Sequence, residues 1–363
     1  MGWRPESLKK TLSSVTGTFN KSEIIICVPD KGLTYPSISN SKQPIVLTLQ
    51  LANKEFGYGG ASERATSFGH VRNLLLLISN SLDRSQSIIF FDDDVIPNEQ
   101  TKVAFQNALQ KYDLVQGKYS GCGGNYVYSM VSFFSLLEQT RWNQTEFTQR
   151  AREFLGGAAP LPERTAGISG LAGGVMGISS RFKTKMCFAP TRYRIEDHFF
   201  EFSSRFLLRG FRFMDDKTSL SDIPIAFHDK TAGSENSLVE GYTHEVKGAI
   251  IEKYLYFRLS GCLPAIVNGS HALIQTDDFD IEEITGKTLH EVALEKFKFA
   301  AEHWLSKNPP MFIAQQLQRI ARLTEKDFHL SRRELDSEWL AFEKERTWFK
   351  TAETSEVKIS HSF

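Results

Sequence analysis

The sequence is poor in cysteine and has no excess of either charge. Its four cysteines are far apart and include no Cys-x-x-Cys pair, so their spacing indicates neither a zinc site nor a disulfide framework. Lys plus Arg and Asp plus Glu both number 43, and the net charge is therefore zero. Without a positive excess, general binding of nucleic acid has no electrostatic basis, and we expect no nucleic-acid partner.

The sequence also lacks long apolar runs. No run approaches the ~20 apolar residues that a membrane-spanning helix needs. The N-terminus is polar from Trp3 onward, which is unlike a signal peptide. We therefore expect a cytoplasmic protein whose cysteines are reduced.

What the sequence does contain is a change of pattern along its 363 residues. Short apolar runs alternate with helical patterns at first, which predicts an α/β domain over residues 1–237 with a helical insert at about 129–154. Between residues 238 and 350 the apolar spacing predicts a helical extension. The polar residues 351–363 are expected to form a disordered tail.

One acidic stretch stands out in the first half. The apolar run Ile88–Phe91 predicts a buried strand, and Asp92-Asp93-Asp94 follows it directly. Three adjacent carboxylates repel one another unless they are solvated or a cation lies among them. Ligands of open α/β sheets bind outside the carboxyl ends of strands, and hard divalent ions take oxygen ligands. The stretch therefore predicts a metal–diphosphate site, with an acidic surface turn as the alternative.

Five short motifs follow one another along the first 230 residues. They are the helix-and-strand pair Arg4–Leu8 and Glu23–Val28, then Gly69-His70-Val71-Arg72-Asn73, Asp92-Asp93-Asp94, Gly173-Gly174-Val175-Met176-Gly177, and Glu196-Asp197 followed by Arg205, Gly210 and Phe211. In this order they resemble a family-2-like glycosyltransferase of the GT-A fold, with its Asp-x-Asp and Glu-Asp motifs. The resemblance implies an α/β fold with a mostly parallel central sheet flanked by helices.

The resemblance also implies a metal and a donor substrate. Asp92 would face the nucleotide ribose and contribute to the metal site, and Asp94 would hold Mn²⁺ or Mg²⁺ on the diphosphate of a nucleotide sugar. Asp93, which lies between them in the donor-binding turn, is expected to point to backbone amides or solvent. His228 would complete the metal shell, since neutral imidazole binds Mn²⁺. A hydrogen-bonded surface histidine is the alternative for His228.

Further roles in donor binding and catalysis follow from the same resemblance. Asp30 would accept a hydrogen bond from the base or ribose, unless it only shapes a turn. Arg72 would reach a phosphate or a sugar hydroxyl, with a structural ion pair as the alternative. Gly173 and Gly174 would let the backbone approach the sugar, or form an ordinary turn. Asp197 is the candidate general base of an inverting transfer, with helix capping as the alternative.

Two departures from the family bear on the expected function. The family's first strand would precede Arg4 and has no counterpart here, which a shortened chain, a displaced start or a degenerate protein would each explain. The usual Asp-Asp-Gly-Ser is replaced by Pro29-Asp30-Lys31-Gly32, so we expect altered base recognition.

The sequence thus predicts a metal-dependent glycosyltransferase that moves a sugar from a nucleotide-diphosphate sugar to a carbohydrate or another hydroxyl acceptor. The alternatives are a degenerate, non-catalytic GT-A binding module and a sugar-nucleotide nucleotidyltransferase. Because the charges of the extension are mixed, docking of this part onto a membrane surface or a partner stays open.

Overall fold

The structure of the protein is a computed structural model, and it describes most of the chain. The described residues are 5–19, 24–28, 45–60, 64–92, 95–117, 119–121, 126–139, 148–149, 151, 174–193, 195–214, 226–228, 237–267 and 270–354.

Helices make up most of the regular structure of these residues. They are α1 (Pro5–Thr18), α2 (Leu49–Glu55), α3 (Phe68–Leu82), α4 (Glu99–Leu109), α5 (Tyr126–Gln139), α6 (Glu196–Leu207), α7 (Ser237–Ser260), α8 (Ile281–Glu291), α9 (Leu294–Leu305), α10 (Met311–Ala321), α11 (Glu325–Phe328) and α12 (Arg332–Thr354). None of these described helices combines the length and apolarity needed to cross a membrane.

The strands are short. They are β1 (Ile25–Val28), β2 (Ile45–Thr48), β3 (Ile88–Phe91), β4 (Val95–Pro97), β5 (Leu114–Gln116), β6 (Tyr119–Gly121), β7 (Val175–Ile178), β8 (Ala226–His228), β9 (Cys262–Val267) and β10 (Ser270–Gln275). They form a parallel pair β1–β2, two three-stranded sheets in the orders β3–β7–β5 and β4–β8–β6, and an antiparallel pair β9–β10.

The α/β class is confirmed, but a mostly parallel central sheet is not found among the described strands. Of the six strand pairs they form, four are antiparallel. The physical reason is the position of β7, which lies between β3 and β5 and runs opposite to both. β3 and β5 therefore point the same way without being hydrogen-bonded to each other.

A glycine at position 177 allows β7 to lie in the middle of this sheet. Gly177 lies opposite Ile89 on one side and Val115 on the other. A Cβ atom at Gly177 would lie 2.7 Å from the Phe105 ring of α4. The glycine thus lets α4 pack directly on the middle strand of the β3–β7–β5 sheet.

The larger of two hydrophobic cores among the described residues joins the α/β part to the C-terminal helices. One cluster of buried apolar side chains includes Leu77 of α3, Phe199 of α6, Ile250 of α7 and Phe342 of α12, and α12 packs against both α3 and α7. The extension predicted from residue 238 begins as helix α7 at Ser237. Its residues are built into the same core as the first half.

The apolar spacing had predicted a purely helical C-terminal part, but the structure also has two strands there. Strands β9 and β10 form an antiparallel hairpin in register from Cys262–Gln275 to Val267–Ser270. The two residues between the strands in the sequence are Asn268 and Gly269. An Asn-Gly dipeptide between apolar runs is a strong hairpin signal, so this element was predictable from the sequence.

The buried Asp113 stabilises the β5 edge of the β3–β7–β5 sheet. Asp113, only 2% exposed, accepts hydrogen bonds from Ser179 Oγ at 2.6 Å and from the Arg212 backbone N–H at 2.8 Å, and it pairs with the Arg181 guanidinium. Burial alone would raise the pKa of this carboxyl. The hydrogen bonds from Arg181, Arg212 and Ser179 outweigh burial, and the pKa of Asp113 is held below its usual value.

We predict that Asp113→Asn lowers the free energy of unfolding at pH 7 by about 1.5–3 kcal/mol, the worth of a hydrogen bond to a charged group. Because the folded pKa is the lower one, the contribution of Asp113 is complete above its unfolded pKa of about 4 and is lost as the pH falls further. Urea denaturation at pH 7 and near pH 3 measures both effects. The exposed Asp277→Asn serves as the control, and an equal deficit at both pH values would contradict the account.

Candidate functional site

The acidic stretch begins where strand β3 ends. The Asp92 backbone N–H donates to the Gly174 carbonyl at 3.1 Å, and the Val95 N–H closes a turn onto the Asp92 carbonyl at 3.1 Å. These bonds place Asp92 at the carboxyl end of β3, next to the start of β7. Its side chain is 41% exposed and is thus accessible to a ligand.

Helix α3 brings an arginine to the same place. The Ser67 side chain caps the helix by accepting from the His70 N–H at 3.2 Å, as serine commonly does at a helix start. Arg72 lies in the first part of the helix, and only 8% of its side chain is exposed. Its guanidinium lies over the Phe188 ring, 5.6 Å from the ring centroid. Such a cation–π contact stabilises a desolvated cation.

Helix α6 supplies two more carboxylates. Glu196 and Asp197 form its first turn, where the helix dipole favours negative charge. Arg72 Nη1 donates to Asp197 Oδ1 and, at 3.2 Å, to Glu196 Oε1. Arg72 Nη2 lies 3.3 Å from Asp92 Oδ1. One guanidinium therefore joins the carboxyl end of β3 to the start of α6.

The charges of this Arg72 cluster (Arg72, Asp92, Glu196 and Asp197) do not balance. Within it one guanidinium faces three carboxylates, and Asp93 and Asp94 follow Asp92 in the sequence. Such an excess attracts a cation, and carboxylate oxygens are the ligands that hard divalent ions prefer.

The structure thus brings together Arg72, Asp92 and Asp197, with Gly174 bound to Asp92 through its carbonyl. His228 lies in β8, where its backbone is in register with Val95, the residue after Asp94. The predicted residues Asp30, Asp93, Asp94 and Gly173 lie outside the described residues.

Within the part of the chain that the structure describes, no group of three His, Cys, Asp or Glu side chains is arranged to hold a metal ion. That part leaves out Asp93, Asp94 and the side chain of His228. The predicted metal ligands therefore remain a prediction, of which Asp92 is the described member.

Sequence reasoning missed the place of Glu196 in the cluster and the ring of Phe188 against Arg72. Glu196 was recognised as part of the Glu-Asp motif, but no role was predicted for it. Its place at the start of a helix was apparent from the sequence. Phe188 carried no signal, because its role depends on a contact with Arg72 across 116 positions of the sequence. The Asn73 side chain holds Phe188 in place by accepting from its N–H at 2.7 Å and donating to its carbonyl at 2.9 Å.

The chain was also compared with known proteins. No protein-family model, curated protein or solved structure matches it.

The start of α3 passes very close to the segment that carries Phe188. A Cβ atom at Gly69 would lie 2.1 Å from the carbonyl oxygen of Ala189. The obstacle is backbone, which moves less readily than a flexible side chain. Residue 69 must therefore be glycine if Arg72 is to lie over Phe188.

We predict that Gly69→Ala lowers the free energy of unfolding by about 1–3 kcal/mol, the usual cost of overpacking. Gly286→Ala is the matched control, since its Cβ would meet nothing within 4 Å in helix α8. That change should stabilise by about 0.5–1 kcal/mol, because alanine favours helix over glycine. Urea denaturation compares the two variants, and a Gly69→Ala protein as stable as the parent would refute the close packing.

Proposed function

We propose that this protein is a metal-dependent glycosyltransferase that moves a sugar from a nucleotide-diphosphate sugar to a hydroxyl acceptor. The observation that carries the proposal is the contact of one arginine, Arg72, with both Asp92 and Asp197. Sugar transfer needs a site for the diphosphate leaving group and a base for the acceptor. The two carboxylates proposed for these tasks lie on either side of the same guanidinium.

Asp92 fits the diphosphate side of such a site. Its carboxylate is partly exposed at the end of a strand and is followed in the sequence by Asp93 and Asp94. Mn²⁺ or Mg²⁺ held there by Asp92 and Asp94, with His228 as a third proposed ligand, would neutralise negative charge on the leaving diphosphate.

Asp197 fits the acceptor side. Its side chain is 21% exposed, which lets an acceptor hydroxyl approach it. The proposed step has the hydroxyl oxygen attack the anomeric carbon while its proton passes to the Asp197 carboxylate and the bond to the diphosphate breaks. Attack from the side opposite the leaving group inverts the anomeric centre.

Arg72 has a positioning role in this proposal. Its planar fork fixes the direction of Asp197 and keeps it at a set distance from Asp92.

The fold that we propose is GT-A. Strands β3 and β5 point the same way on either side of β7, and Asp92 follows the carboxyl end of β3. Sites of open α/β sheets lie at this end of their strands. We also propose contacts of Asp30 with the base or ribose, and of Gly173, Gly174 and Asp93 with the donor.

The first test is metal-dependent binding of the donor. We expect one of UDP-, GDP- or dTDP-sugars to bind in calorimetric titrations with Mn²⁺. Removal of Mn²⁺, Asp92→Asn or Asp94→Asn should each weaken binding at least tenfold, because each removes the cation that the diphosphate needs or a carboxylate proposed to hold that cation. The control is Asp83→Asn, an aspartate that follows the other end of α3. Failure of the folded protein to bind any of these donors would refute the proposal.

The second test separates the base from donor binding. In Asp197→Asn we expect release of nucleoside diphosphate from the bound donor to fall by roughly 10²–10⁴-fold, the usual worth of a general base. Donor affinity should change little, because Asp197 lies on the acceptor side. Turnover is measured by coupled detection of nucleoside diphosphate, with Asp83→Asn as the control. Unchanged turnover in Asp197→Asn would show that this residue is not the base.

A further inference from the structure

The C-terminal helix α12 carries two buried carboxylates on one face. Glu338 and Glu345 are seven residues apart, which is two turns of a helix. They are 5% and 1% exposed. Buried carboxylates are costly unless they are paired, so their partners show what the helix is holding.

Glu345 holds the first turns of α3. Its Oε1 accepts a hydrogen bond from Asn73 Nδ2 at 2.8 Å and lies 2.8 Å from His70 Nδ1. His70 and Asn73 flank Arg72 in sequence, and Asn73 also binds the backbone of Phe188 on both sides. Glu345 is thus linked through Asn73 to both structures that locate the Arg72 guanidinium, namely its own helix and the ring beneath it.

Glu338 holds the segment that carries Phe188. It forms a bidentate ion pair with Arg64, with distances of 2.6 and 2.7 Å. Arg64 donates in turn to the Pro190 carbonyl at 3.0 Å. The two carboxylates of α12 therefore fasten α3 and residues 188–190 side by side, where Gly69 meets Ala189.

The partners of Glu345 on α3 are themselves buried. His70 is fully buried, lies 2.6 Å from Asn53 Oδ1 through Nε2, and packs against the rings of Tyr58 and Trp348. Burial, and then the charge of Glu345, raise the pKa of Tyr58 above its usual value. The carboxylate therefore lies in a site of low polarity, where loss of its hydrogen bonds costs the most.

We propose that Glu345 is a positioning residue for Arg72, so that helix α12 is part of the functional site. The use of this positioning in donor binding rests on the proposed function. The positioning itself is a property of the folded chain and is measurable without any ligand.

The test is a double-mutant cycle in the folding equilibrium constant, measured by urea denaturation. Glu345→Leu and Arg72→Met are compared with the double variant. Each variant lowers the folding equilibrium constant by a measured factor. If Glu345 acts on Arg72, the factor for the double variant is at least fivefold smaller than the product of the two single-variant factors, because the effects of residues in one contact network are not additive. The conservative Glu345→Gln keeps an acceptor oxygen for Asn73 and should recover most of the loss.

The matched control pairs Arg72→Met with Leu335→Ala, a buried core residue ten positions earlier on the same helix. For this pair, the factor by which the double variant lowers the folding equilibrium constant should equal the product of the two single-variant factors to within about twofold, as expected of independent sites. If the Glu345 and Arg72 losses multiply in the same way, the positioning role is overturned.

Titration with the nucleotide sugars and Mn²⁺ then separates the two proposals. Coupling in the cycle, together with donor binding that Glu345→Leu weakens tenfold and Glu345→Gln restores, supports both. Coupling in a protein that binds no donor leaves the positioning of Arg72 standing and refutes the glycosyltransferase. Coupling with donor affinity unchanged by Glu345→Leu overturns the claim that α12 belongs to the site.

Discussion

The cluster around Arg72 depends on the need of a buried cation for counter-charges. Its guanidinium is almost fully enclosed, lying over an aromatic ring and against three carboxylates. Asp92, Glu196 and Asp197 in turn repel one another, and the arginine makes their approach possible. Because these groups belong to α3, to the end of β3 and to the start of α6, the ion pairs of one arginine join three elements.

Helix α3 connects the Arg72 cluster to the rest of the described structure. One end of the helix carries Arg72 and is held by Glu345 of α12, while Lys183 donates to the carbonyls of Ser79, Asp83 and Gln86 around the other end. Its apolar side chains belong to the core shared with α7 and α12. The C-terminal helices therefore pack directly against the α/β part.

The local parts of this picture were predictable from the sequence. The apolar run Ile88–Phe91 identified a strand, and Asp92 its acidic end. These features depend on residues that are close in sequence. The direction of β7, the ring of Phe188 under Arg72 and the bond from Glu345 to Asn73 were not predictable, because each depends on a tertiary contact between distant segments. The β9–β10 hairpin carried a turn signal at Asn268-Gly269 that was not used.

We propose that Arg72 lies between a carboxylate that binds a metal ion and a carboxylate that acts as the general base. A crystal structure with Mn²⁺ and its anomalous signal tests this claim most directly. The account predicts a manganese peak at the carboxylates of Asp92 and Asp94, with the Arg72 guanidinium bonded to Asp92 on one side and Asp197 on the other. An Arg72 side chain that contacts neither carboxylate, or a manganese ion bound only elsewhere, would contradict it.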